Sequence, residues 1–167
     1  MKSVEKVWLE EVPWESLEEI NKALCHAQQV EFTTNAKGLS IAKQSWEGAV
    51  RKSMTLGDVL AVCRKCHDAS PFMFNNGNTF GSVAKTLIQD WLNSLPPLEA
   101  EIVRATVSHY VVGLVGRREL GEVLKHFEPV LKKAAAPKAP QPQGAPGPQP
   151  STTTTAPIPT APASQAV

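Results

Sequence analysis

Apolar positions recur along this chain with a period close to 3.6 residues, the repeat at which side chains return to one face of an α-helix. The clearest instance is Phe80, Ala84, Leu87, Ile88, Trp91 and Leu95, which predicts one amphipathic helix stopped by Pro96-Pro97. Trp14, Leu17, Ile20, Asn21, Leu24 and Ala27 form another stripe, opened by Pro13 and by a Ser16-x-x-Glu19 pattern that reads as a capping box. After a predicted loop over 31–38, Ser40 is the expected cap of a third, made of Ala42, Trp46, Ala49 and Val50. Gly48 weakens that helix by up to about 1 kcal/mol relative to Ala. Leu56, Val59, Leu60 and Cys63 form a fourth row, entered at Thr55 with Asp58 three residues later. It ends at Ser70-Pro71, because the residue before a proline is driven out of the helical region.

Residues 98–114 are dense in β-branched side chains, which suits a buried strand, but the two prolines before them, Glu99 and Glu101 at the start, and the length favour a helix. The last stripe, Leu120, Val123, Leu124 and Phe127, is expected over 118–128 and is ended or kinked at Pro129. Val4, Val7, Trp8 and Leu9 are too short a run for a helix and read as an arm packed on the domain. The prediction is therefore an all-α fold, a compact bundle of five to six helices over residues 1–133.

Composition changes abruptly after that. Residues 134–167 hold nine of the 14 prolines, four consecutive threonines, no aromatic residue and a single charge, Lys138. Such a Pro/Thr/Ala-rich segment buries too little apolar surface to offset its ordering entropy, and is expected to be a disordered, solvated tail. Setting Lys138 aside leaves 16 basic residues against 16 acidic ones in the helical part. A neutral domain offers no net field for nucleic acid or anionic lipid, so neither is expected as a partner. The Gly113-x-x-Gly116 spacing resembles the clamp of one RNA-binding fold but lacks that fold's strands and basic flank. The longest strongly apolar run, over 110–115, falls far short of the ~20 residues that a membrane span needs. Three cysteines without an apolar export segment point to reduced thiols in the cytoplasm.

Candidate chemistry is concentrated at Cys63-x-x-Cys66-His67, whose spacings of three and four put both sulfurs and the imidazole on one helical face. The first reading is burial: both thiols fill the core and His67 caps the last turn. The second is a zinc site, favoured by the negative end of the helix dipole but one ligand short of a tetrahedral set; His109 or Cys25 would supply the fourth. His26 projects away from Cys25, so the two cannot easily serve one ion. The letters also resemble a c-type haem attachment motif. A redox pair ranks last, since it needs its thiols at the start of a helix rather than the end. His109, beside Tyr110 in an apolar element, is expected to be a core histidine before a ligand.

No P-loop, dinucleotide glycine pattern, nucleophile elbow or zinc-protease motif occurs, and Cys63 with His67 is a poor nucleophile and base pair where thiolate is disfavoured. Phe72, Met73 and Phe74 lie next to a turn signal at Asn76-Gly77, with Asn78 or Thr79 as the expected cap of the following helix. The three apolar side chains are expected to cover the open end of the core, with an exposed docking knob as the alternative. The function expected from the sequence is a non-enzymatic protein-interaction or structural module without a cofactor. Its alternative is a small zinc-binding domain.

Overall fold

Two of the helices, α2 (Ala36–Val50) and α3 (Leu56–Ala69), begin at a residue whose side chain satisfies one of the first free N–H groups. A computed structural model describes residues 5–135, with side chains through Phe127 and at Pro129. The element order is β1 (Lys6–Val7), α1 (Trp14–Ala27), α2 (Ala36–Val50), β2 (Ser53–Met54), α3 (Leu56–Ala69), α4 (Asn76–Leu87), α5 (Gln89–Leu92), α6 (Pro97–Val111) and α7 (Arg117–Ala135). Thr55 caps α3 as expected: its Oγ1 accepts from the Asp58 N–H at 3.2 Å and donates to Asp58 Oδ2 at 2.7 Å. The other predicted caps are corrected. Pro13 opens α1 with no side-chain cap, leaving Ser16 inside the helix. Asn35, not Ser40, caps α2, with its Oδ1 accepting from the Gly38 N–H at 3.4 Å, so the helix takes in residues assigned to a loop.

Two further boundaries differ from expectation. The stripe from Phe80 to Leu95 is split at Ile88 (φ −107°, ψ 6°) into α4 and the short α5, which turns Trp91 edge-on to Trp8 at 5.5 Å. Pro129 does not end the last helix, which continues to Ala135 and so enters the segment assigned to the tail. Pro129 and Lys125, whose carbonyl loses its partner, are both solvent-exposed, so water can serve the orphaned acceptor. Residues 97–111 are helical throughout, which settles the helix-or-strand ambiguity.

The helices enclose one core. Trp46 of α2, Phe80 of α4 and Phe72 from the α3–α4 loop lie in a chain of aromatic contacts that also takes in Trp14 and Phe32, with ring centroids 5.9–6.4 Å apart. The N-terminal arm closes over it. β1 pairs antiparallel with β2, the Trp8 indole N–H donates to the Met54 carbonyl at 2.8 Å, and the Trp46 indole N–H donates to the Val12 carbonyl at 2.9 Å. The architecture is compact and all-α, and the described residues fall within one unit, residues 1–137. The remainder of the expected tail, 136–167, lies outside the described residues. Among the described residues, no helix is long and apolar enough to cross a membrane.

Candidate functional site

The segment joining α3 to α4 is tied by hydrogen bonds on both sides. Ser70 leaves α3 in the left-handed region (φ 51°) and Asn75 enters α4 in the same region (φ 61°), so the chain reverses between them. Thr34 and Phe72 form an isolated antiparallel bridge, with the Asn35 N–H donating to the Pro71 carbonyl at 2.9 Å and the Met73 N–H to the Thr33 carbonyl at 3.0 Å. Asn76 clamps the other side: its Oδ1 accepts from the Phe72 N–H at 3.1 Å and its Nδ2 donates to the Phe72 carbonyl at 2.6 Å.

The three apolar residues divide. Phe72 is 1% exposed and stacks on Trp14 and Phe80, so it anchors the loop and cannot itself meet a partner. Met73 is 60% exposed and Phe74 48% exposed, so these two do not cover the core. The reason is local: the bridge to Thr34 and the Asn76 clamp fix the direction of Phe72, and its neighbours are left to point outward.

A buried polar network lies under the loop. The Asn21 amide, on α1, donates to the Phe74 carbonyl at 2.8 Å and to Thr79 Oγ1 at 2.9 Å, and its Oδ1 lies 3.4 Å from the Cys25 thiol that donates to it. The Asn75 amide in turn lies 3.7 Å from Cys25 Sγ. Asn21 and Thr79 are fully buried polar residues, and this set of bonds satisfies them. Thr79 is therefore a core residue of α4 and neither it nor Asn78 caps that helix. Asn21 belonged to the predicted inner stripe; an amide in an otherwise apolar stripe was the available signal for the network. Nothing in the spacing reveals that its partners lie 53 and 58 residues away.

The Cys63-x-x-Cys66-His67 residues share a face, but the structure does not assemble the predicted ligands around a point. Cys63 and Cys66 are fully buried, and the Cys66 thiol lies 3.5 Å from the Ala42 carbonyl across the α2–α3 contact. Burial pushes the Cys63 thiol well above its ordinary range and the Cys66 thiol up to about 12, since a thiolate there would be desolvated. His67 is partly exposed, with Nδ1 3.1 Å from Asp68 Oδ1. Cys25 belongs to the α1 network. His109 is corrected outright: it is exposed on α6 and is not a core residue. All three cysteines are unpaired, and among the described residues no three His, Cys, Asp or Glu side chains come together as a metal-holding group.

Neither of two surface depressions among the described residues is lined by these positions. A shallow depression of about 530 Å³ between α2 and α3, bordered by Lys52, Asp58 and Lys65, and one of about 350 Å³ beside Trp8 both lack histidine and cysteine. No protein-family model matches the chain, and no curated protein or solved structure matches it either. The loop between α3 and α4, tied at Phe72 and Phe74, presents two large apolar side chains, Met73 and Phe74.

Proposed function

We propose that this chain is a non-enzymatic, cytoplasmic protein-interaction module that docks another protein through Met73 and Phe74. The observation that carries this reading is their 60% and 48% exposure on a backbone pinned by the Thr34 bridge, the Asn76 clamp and Asn21. Large apolar side chains held in water at a fixed position cost solvation that a partner's pocket recovers on binding. The ring supplies a stiff anchor, and the thioether adapts to the pocket wall around it. A preset loop also loses little freedom on docking. The three unpaired thiols suit a reducing compartment.

The test places a photo-reactive phenylalanine analogue at position 74 and, as comparison, at the exposed Lys65 on another face. A discrete adduct from position 74, absent from position 65, is the expected result. It should weaken by about tenfold or more when Met73→Ser is added, the loss typical of an anchor residue. Equal adduct patterns from both positions would remove the support for this loop as the docking element.

A further inference from the structure

The solvent side of α6 is apolar as well as its core side. Ala100, Val103, Val107, Tyr110 and Val111 face inward, buried. On the opposite side Leu98 is 74% exposed and Ile102 44% exposed, Ala105 is half-buried and His109 is exposed. Leu98, Ile102, Ala105 and His109 follow one another at four, three and four residues, the spacing of the seam in a two-helix coiled coil. A helix apolar on both sides is normally covered on both.

We infer that this face pairs with the same face of a second copy of the chain, the two α6 helices running antiparallel about a two-fold axis between Ile102 and Ala105. Two features of the helix select that occupant and that direction. The first is size. Antiparallel pairing sets the large Ile102 of each copy over the small Ala105 of the other, and does so twice, so the layers nearest the axis fill. Parallel pairing would stack Ala105 on its own copy and leave a gap there. The second is charge. Glu99 is in the first turn, so antiparallel pairing keeps the two acidic ends apart and opposes the two helix dipoles, where parallel pairing would set the Glu99 carboxylates side by side. Glu101, on the flank, is already paired with Arg104 of its own helix and presents no lone charge to the interface. Leu114, in the turn just beyond and bonded back to the His109 carbonyl, is 75% exposed.

A helix of 15 residues is about 22 Å long, so the buried area sits at the low end for specific interfaces and the dimer is concentration-dependent. The two faces are isologous, so association closes at two copies.

The experiment is sedimentation velocity of the full chain from about 10 μM to about 1 mM, with register read by cross-linking. The wild type should pass from monomer to dimer over this range. Ile102→Glu, at an exposed position that leaves the fold intact by circular dichroism, should weaken association by about a hundredfold by placing a charge in the seam. Ala105→Leu should also weaken it, since the added methyl groups meet Ile102 of the other copy. Under mild oxidation, Leu98→Cys and His109→Cys should cross-link when the two variants are mixed. Leu98→Cys alone should not, because its sulfurs would lie roughly 16 Å apart along the pair, beyond disulfide reach. A chain monomeric at every concentration overturns the proposal, as does a dimer unaffected by Ile102→Glu, strengthened by Ala105→Leu, or cross-linked by Leu98→Cys with itself.

Discussion

Gly38 and Gly48 sit in the same helix, and the same substitution should move stability in opposite directions at the two. A Cβ built on Gly38 would lie 2.1 Å from the Ala69 carbonyl oxygen and 2.6 Å from that of Ser70, both backbone atoms at the end of α3. Ordinary contact begins near 3.4 Å, so α2 would have to retreat by roughly 1.3 Å from a neighbour that cannot swing aside. That retreat loosens Ala42 and Trp46 where they pack on Cys66 and the aromatic cluster. Overpacking of this kind costs about 1–3 kcal/mol, more against backbone, while the gain in helix propensity returns at most about 1 kcal/mol. The expected net loss is about 1–3 kcal/mol, a fall of roughly 4–11 °C in Tm for a domain of this size. Nothing lies within 4 Å of a Cβ on Gly48, so Gly48→Ala should gain up to about 1 kcal/mol and raise Tm by about 3 °C. Thermal and urea unfolding followed by far-ultraviolet circular dichroism measure both. If Gly38→Ala were as stable as the wild type with unchanged urea dependence, the close crossing of α2 on the end of α3 would be wrong, and with it the alignment of the core.

Replacing Cys63 and Cys66 together by Ala should cost about 2–3 kcal/mol as lost packing, and a chelator should leave the Tm of both proteins unchanged; a chelator that melts only the wild type would refute this. The raised thiol values also predict an alkaline loss of stability. The unfolded chain releases these protons near 9.0 whereas folded Cys66 holds its own to about 12, so stability is full below pH 9 and falls above it by up to about 1.4 kcal/mol per pH unit for each thiol. The Ala double variant should show a shallower decline over the same range in urea titrations. Asn76→Ala should remove both clamps on Phe72, costing about 1–2 kcal/mol and speeding hydrogen exchange at the Phe72 amide far more than at α6 amides.

The helical class, the Thr55 cap, the stripes of α1 and α3 and the helical state of 97–111 are legible in the sequence because each depends on neighbours a few residues away. The errors fall where a distant partner decides. Asn35 rather than Ser40 begins α2 because the chain at 33–35 is already tied to the Pro71–Met73 backbone. The break at Ile88 goes with the contact of Trp91 with Trp8, and the periodicity alone runs straight through it. The same holds for the candidate residues. Spacing alone places Cys63, Cys66 and His67 on one side of α3 but does not reveal that the thiols are buried and His67 partly exposed; the apolar letters around His109 point it inward, yet α6 has apolar letters on both sides. For Phe72-Met73-Phe74 the sequence marks an unusual loop; which ring points inward is set by Thr34 and Asn76.

Asn21 uses both amide protons, one on the Phe74 carbonyl and one on Thr79. The loop therefore cannot swing toward an approaching molecule without stripping an acceptor from an amide sealed off from water. If the loop docks a partner as proposed, recognition there is by lock and key: a binding surface must already have the shape of Met73 and Phe74 as they stand, and changes in affinity among related targets should be felt in how slowly they leave rather than how fast they arrive.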